Sequence, residues 1–434
     1  MPLDKNKAWD EVFSKTSLLT EITQTGYSFL TADALKDFSG GKEPRLLAKM
    51  DTESSRPLIF KKNQLSILPV ENGKYVIFRD PQLSSYFTFT NFYESIKPVV
   101  YDPSGYITNF DTIKPGKITS ESLAIDFAYH ASLLRTFTNQ KELYQTIRGR
   151  QRSSEFMLSL PSGSEHKIKV NGVQMEVDAG YESASSIILI EAKMGRADTF
   201  HIRQLLYPYL NWISISSKPV IPIFFTYTNG LYYFFQLRFG EKYGDVDVIH
   251  RCCYTLNEPP ISKIALHETL ISTQIDPEPI VPFPQANDID KVIDIITNWS
   301  QGLKTKEAIT RFFEFDIRQA DYYANAAIYL GLLERSEEKG QFILTSEGMR
   351  LAQFSSRGLR NEYLFRQMIR KPVFHAIFSY LVSVECHIEE IRPNIITEII
   401  QTHTLKDCND TTAKRRSSTV KKWLHWMKES VDFE

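Results

Sequence analysis

The chain has 434 residues, 42% of them hydrophobic and 24% charged, which is too long for one compact domain of about 100 to 200 residues and too apolar for wholesale disorder. Two to four domains are expected, and a formal net charge of -1 excludes a protein that grips nucleic acid by bulk positive charge, so a polyanionic partner has to be met by local patches. The four cysteines, Cys252, Cys253, Cys386 and Cys408, form no Cys-x-x-Cys pair and have no histidine at zinc-ligand spacing, which excludes a metal knot and fits a reduced, cytoplasmic protein.

The N-terminus, MPLDKNKAWDEVF, carries charges where a signal peptide needs an apolar core, and no apolar run nears the roughly 20 residues of a membrane span. Neither export nor membrane insertion is expected. Residues 1–116 mix a helical start with short alternating runs, PLIFKKNQLSILPV and KYVIFRD, and read as an α+β domain with DNA contact as a candidate role. From Thr119-Ser120-Glu121 the pattern changes, and ESLAIDFAYHASLLRTF predicts a helix with Leu123, Phe127, Ala131 and Leu134 on one face behind a Thr or Ser cap. The domain begun here, residues 117–256, continues through an arginine-rich loop, RGRQRSSEF, and strands at EFMLSL, HKIKV, VQMEVDAG and SIILIEAK. A helix over about 199–213 follows. VIPIFFTYT and LYYFFQLRF then flank Asn229-Gly230, which accepts the positive φ angles of a type I′ hairpin turn. These elements make a mixed sheet flanked by helices.

Residues 257–285 are proline-rich and break every periodic pattern, as a linker or an extended wrapping segment does. Residues 286–360 read as helix, helix, helix and a two-stranded wing around Lys339-Gly340, the order of a winged helix-turn-helix. Residues 361–434 read as a second helical, helix-turn-helix-like domain without an obvious wing. The overall expectation is a multidomain α+β protein with an α/β core and C-terminal winged helix-turn-helix units.

The middle domain holds the chemistry. Its apolar run IILI ends in Glu191-Ala192-Lys193, and the preceding strand delivers Asp178. Glu191 and Lys193, two residues apart on one strand, project from the same face. If Asp178 lies beside them, its carboxylate and that of Glu191 repel unless a hard divalent cation neutralises them. Mg²⁺ is the ion that takes one or two carboxylates and fills its shell with water and phosphate oxygens. The Ala192 carbonyl is a candidate third ligand. Lys193 beside a bound water would orient it for attack. Glu176, two residues before Asp178, either shares the ion or is solvated.

Asp178 followed by Glu191-Ala192-Lys193 at the end of an apolar strand resembles the PD-(D/E)xK nucleases and, within them, the type II restriction endonucleases. Val177 stands where the name-giving proline would be, the loosest position of the motif. A bare Asp with a later Glu-x-Lys turns up by chance about once in a chain this long. The strand before Glu191 and the helix after it, which carries Arg203-Gln204, supply the missing context. Pro208, four residues after Gln204, is expected to kink or shorten that helix. The likeness extends over about 140–255, including YPYLNW and the aromatic hairpin. It implies a restriction-endonuclease-like core and Mg²⁺-dependent cleavage of double-stranded DNA at a specific sequence, leaving 5′-phosphate and 3′-hydroxyl ends in host defence. Asp178 and Glu191 would bind metal, with Lys193 and Gln204 completing the catalytic set. It also implies a glutamate on the first helix of the fold (Glu121 or Glu142), a homodimer, and a cognate DNA methyltransferase acting on the same site.

Candidate DNA contacts are Arg148, Arg150 and Arg152 before the first strand, and Arg318, Gln319, Tyr322 and Tyr323 at the start of the would-be recognition helix. Lys414, Arg415, Arg416, Ser417 and Thr419 form a third group, in a stretch from 411 to 428 with six Lys or Arg and no acidic residue. Plainer readings stand beside these. Glu191 and Lys193 would be an exposed strand-end ion pair, Asp178 a turn cap before Gly180, the arginines a solvated loop, and the basic helix a support docked through Trp423 and Trp426. The corresponding alternatives in function are a DNA-binding regulator with an inactive nuclease-like domain and a structure-specific repair nuclease.

Overall fold

The computed structural model describes residues 4–103, 107–161, 167–258, 263–404 and 409–433. The chain forms two compact units, one of Met1–Val99, Ala128–Tyr227 and Tyr232–Tyr254, the other of Val100–Phe127, Thr228–Leu231 and Thr255–Glu434. Both helices and strands contribute, so the chain is a multidomain α+β protein.

In the first unit the strands β1 (Tyr27–Thr31), β2 (Leu65–Glu71) and β3 (Lys74–Arg79) form an antiparallel sheet of order β1-β3-β2. Its helices bury Trp9, Phe13, Ile22, Leu35 and Phe60 against Leu65, Ile67 and Ile77, and Trp9 meets Phe60 edge-on at 4.7 Å. The chain then runs through β4 (Tyr86–Thr88), β5 (Val99–Tyr101), β6 (Tyr144–Arg152), β7 (Phe156–Ser159), β8 (Lys167–Val170) and β9 (Gln174–Glu182). After these come β10 (Ile187–Met194), β11 (Thr199–His201), β12 (Val220–Thr228), β13 (Leu231–Phe239) and β14 (Val246–Leu256). Seven of these strands make a mixed sheet of order β5-β14-β13-β12-β10-β9-β6, flanked by helices.

The strand β10 is central, and all eight of its residues are buried. It pairs antiparallel with β9 and parallel with β12, and a parallel neighbour needs a crossover. The helix Arg203–Ile215 provides it, running on through Pro208 to Ile215 instead of ending early. The hairpin between β12 and β13 turns at Asn229 (φ 41°) and Gly230 (φ 78°), the two successive positive angles that a type I′ turn requires. The predicted single helix from 121 is two, Glu121–His130 and Leu133–Thr138, because Ser132 takes a left-handed φ of 67° between them. The Ser120 side chain caps the first by accepting from the N–H of Leu123 (3.2 Å).

The second unit is mostly helical. Ile289–Thr297, Lys306–Phe313 and Ile317–Tyr329 are followed by β15 (Leu333–Arg335) and β16 (Phe342–Leu344), paired antiparallel, and then by five further helices from Ser346 to Ser430. Val292, Ile296, Ile309, Ala324, Leu364, Phe374 and Trp423 belong to one continuous core. The proline-rich segment packs into this unit: Asp276 pairs with Arg370 (2.8 Å) and Lys371 (2.9 Å), and Phe283 joins the core. Among the described residues no helix is long and apolar enough to cross a membrane. Among the described residues Cys252, Cys253 and Cys386 form no disulfide, and Cys408 lies outside the described residues.

Candidate active site at the end of a buried strand

The register of the sheet explains how Asp178 reaches β10. The pairing of β9 with β10 runs from Glu182–Ile187 to Ala179–Ile190 and stops there. On the other side of β9, Ile147 faces Gly180 and Gly149 faces Val177, so the two residues Asp178 and Ala179 oppose the single residue Arg148. This is a β-bulge, a device that bends a strand and re-aims a side chain. Gly180 makes room for it, since a Cβ there would lie 2.7 Å from the Cβ of Ile147. Where the ladder ends, the Asp178 carboxylate takes its place: Oδ2 accepts from the backbone N–H of Ala192 at 2.8 Å.

That N–H lies between Glu191 and Lys193, so Asp178 reaches the backbone that carries the other two charged residues. Glu191 is 5% and Lys193 9% exposed, which removes the reading of an ordinary surface pair. The Lys193 Nζ donates to Glu191 Oε1 at 2.9 Å, and Gln204 Nε2 donates to the same oxygen at 2.6 Å. Gln204 stands in the first turn of the helix Arg203–Ile215, which packs across β9 and β10. Its Oε1 is buried and has no hydrogen-bond partner among the described residues. Thr226, the neighbour of Lys193 in the β10–β12 register, also has a buried hydroxyl without a partner there. Buried polar atoms of this kind call for a bound water or ion. Sequence reasoning missed Thr226, although its polar side chain stands out in the run VIPIFFTYT.

The donor set fits a hydrated hard cation. Among the described residues no three His, Cys, Asp or Glu side chains gather as a metal-binding group, whereas Mg²⁺ needs only one or two carboxylates and keeps water for the rest. Asp178 and Glu191 would hold it. Ala192 enters the constellation through its N–H. Glu176 is exposed and pairs loosely with Arg150 (3.7 Å). Glu142 is exposed and accepts from the Tyr144 hydroxyl at 3.0 Å, and Glu121 opens the helix Glu121–His130.

The candidate DNA contacts divide by exposure. Arg148, Arg150 and Arg152 are exposed, but they lie within β6, at the edge of the sheet, and not in a loop before the first strand. Arg318 is exposed, its guanidinium 5.8 Å from the ring centroid of Tyr322, and both Tyr322 and Gln319 are half-buried. Tyr323 is a correction: it is buried and stacks on Phe315 at 5.6 Å, because it falls on the apolar face of its helix. Three more corrections lie in the helix Asp410–Ser430, where Arg416, Ser417 and Thr419 turn inward on the face that buries Trp423 and Trp426. The Thr419 hydroxyl donates to Asn287 (2.9 Å) and Trp423 Nε1 to the Ala286 carbonyl (2.6 Å). Lys414 and Arg415 stay exposed. With its amide oriented to satisfy both ends, Gln285 donates to the Tyr322 hydroxyl and accepts from Arg415, each at 3.1 Å. The surface ends of the two basic segments are therefore neighbours.

Family models match three stretches of the chain, all domains of unknown function: residues 6–77 (DUF6996), 84–255 (DUF6997) and 291–432 (DUF7226). No curated protein and no solved structure matches.

Proposed function

We propose that this chain is a type II restriction endonuclease, a Mg²⁺-dependent enzyme that hydrolyses both strands of DNA at a short specific sequence. The observation that carries the reading is the Asp178 carboxylate on the N–H of Ala192 (2.8 Å), beside a Glu191–Lys193 pair withdrawn from solvent. Buried ion pairs are costly to desolvate, and this one sits where two strands part beside a β-bulge, which favours a catalytic over a structural role. The seven-stranded mixed sheet with its flanking helices serves as a restriction-endonuclease-like core. The helices Lys306–Phe313 and Ile317–Tyr329 with the β15–β16 ladder are read as a winged helix-turn-helix that assists recognition.

In this reading Asp178 and Glu191 would hold the cation, which would supply positive charge against the scissile phosphate. Lys193, fixed by Glu191, orients the attacking water, and Gln204 Oε1 offers that water an acceptor. The water oxygen forms a bond to phosphorus in line with the 3′ oxygen, whose bond to phosphorus breaks. One proton of the water passes to solvent and the leaving oxygen takes one from solvent, which gives 5′-phosphate and 3′-hydroxyl ends. Arg148, Arg150 and Arg152 on the sheet edge, and Arg318, Gln319, Tyr322, Lys414 and Arg415 on the helical unit, supply phosphate and base contacts. One such site cuts one strand, so a homodimer is the working unit, and a cognate DNA methyltransferase protects the same site in the host, placing the enzyme in the cytoplasm with the DNA.

Digestion of a sequenced phage genome, with Mg²⁺ and with EDTA, tests the proposal. Discrete fragments sharing one end sequence are expected only with Mg²⁺. Specific binding without cleavage would favour a regulator, cutting confined to branched DNA a repair nuclease, and untouched DNA would remove the reading.

A further inference from the structure

The first turn of the helix that carries Gln204 is held from outside the sheet. The Arg203 guanidinium lies 3.6 Å from Asp51, and both side chains are largely withdrawn from solvent. The Arg203 backbone N–H donates to Nδ1 of His201 (3.2 Å), and the His201 ring meets Tyr86 edge-on at 5.0 Å. The Tyr86 hydroxyl in turn donates to the carbonyl of Met50, the neighbour of Asp51, at 2.7 Å. The Ile202 N–H donates to the Ser85 carbonyl (3.0 Å), and one turn further on the Tyr207 hydroxyl donates to the Pro69 carbonyl (2.9 Å). Every one of these groups belongs to the first compact unit.

The electrostatics agree with the geometry. Burial opposes the charged form of Asp51, yet the Arg203 and Lys49 cations outweigh it and hold the carboxyl below its ordinary range. Burial and the Arg203 charge push His201 down to about 3, so its ring is neutral and free to accept from the Arg203 N–H. Asp51 is therefore a buried anion whose nearest counter-charges include the residue next to Gln204.

We infer that Asp51 is a positioning residue for the candidate active site: through Arg203 it fixes the first helical turn so that Gln204 reaches Glu191. The inference rests on the nuclease reading for its consequence, but its mechanical part stands apart from it. It gives the N-terminal α+β region a task, which is to hold the helix in register with the end of β10 rather than to contact DNA. Supporting groups of this kind decide whether an active-site side chain sits within reach or slightly out of it.

The test compares the full-length wild type with Asp51→Asn, Asp51→Glu, Gln204→Ala and the Asp51→Asn/Gln204→Ala double variant. Hydrogen exchange at the Leu205 and Leu206 amides, which both donate to the Ile202 carbonyl, reads the first turn directly. Exchange about tenfold faster in Asp51→Asn, restored in Asp51→Glu, is expected. Unchanged exchange overturns the inference whether or not DNA is cut. If the wild type cleaves DNA, single-turnover cleavage should fall about tenfold in Asp51→Asn with DNA affinity unchanged, and Asp51→Asn should add nothing to Gln204→Ala. An equal loss in both backgrounds would assign Asp51 a general structural role and overturn its link to Gln204. If the wild type cleaves nothing, the nuclease reading fails and the exchange result alone decides whether the brace exists.

Discussion

Each unit of the molecule buries a pair of ionisable side chains, and the two pairs are treated differently. In the first unit Glu191 faces the cation of Lys193 at the end of a strand, with Gln204 Oε1 and Thr226 Oγ1 still lacking partners nearby. In the second, Asp294 accepts from two neutral donors, the Thr228 hydroxyl (2.6 Å) and the Asn229 N–H (2.8 Å), and Asp290 accepts from Asn229 Nδ2 (2.9 Å) and Trp426 Nε1 (3.2 Å). Burial pushes the Asp294 carboxyl up to about 7. Asp294, held by neutral donors, is pushed toward its protonated form, whereas Glu191 at the strand end keeps a cation beside it. Burial alone does not mark a functional residue.

The comparison is broken most severely at Lys193. Replacing it with methionine keeps the bulk and removes the charge, and single-turnover cleavage is expected to drop at least about a thousandfold with DNA affinity within about twofold. Retained activity in that assay would take Lys193 out of the mechanism. The counterpart in the second unit is Asp294→Ala, which strips partners from two buried donors and should cost about 3 kcal/mol in denaturant unfolding. Cleavage per folded molecule should not change. Glu191→Gln should abolish cleavage and, because it takes the carboxylate from the buried Lys193 ammonium, should also lower stability in denaturant unfolding.

Acid and base sharpen the contrast with opposite signs. His201, pushed down to about 3, stays neutral in the folded state while the unfolded chain takes up a proton near its ordinary value. Stability is therefore lost as pH falls from about 6.5 toward 3. Asp294, pushed up to about 7, stays protonated while the unfolded chain ionises, so its contribution is lost as pH rises from about 4 through 7. Unfolding free energies measured across this range should lose the first slope in His201→Asn and the second in Asp294→Asn, each on the order of a few kcal/mol. Identical profiles for variant and wild type would contradict both assignments. The smallest effect belongs to the exposed sheet edge: Arg150→Ala should shift stability by less than about 0.5 kcal/mol and reduce the salt dependence of DNA binding by about one counterion.

Much of the site was legible because it depends on local rules. Alternation on one strand puts Glu191 and Lys193 together, an apolar run predicts the burial of β10, and Asn229-Gly230 predicts the hairpin. Gln204 follows from its place in the next helix. What was not legible depends on register and on tertiary packing. The bulge opposite Arg148, which turns Asp178 toward Ala192, has no signature in a single sequence, and neither does the left-handed Ser132 that divides the helix after Glu121. The arginines 148, 150 and 152 lacked the apolar alternation that announces a strand, because β6 is an edge strand with most of its side chains in solvent. The docking of the basic C-terminal helix through Trp423 and Trp426 was legible as one reading of the sequence, but which residues of its basic stretch it would turn inward was not. Trp423 and Trp426 decide which way it faces, and they carry Arg416, Ser417 and Thr419 inward with them. The Asp51–Arg203 contact joins residues 152 positions apart, by subtraction of their numbers, beyond the reach of any local pattern.

The central claim is that Asp178 and Glu191 form one cation site with Lys193 beside it, and anomalous diffraction from crystals soaked in Mn²⁺ tests it most directly. A single strong peak bounded by the two carboxylates, absent in Glu191→Gln crystals, is the predicted result. Well-ordered crystals with no peak there, or with manganese only elsewhere on the molecule, would contradict it.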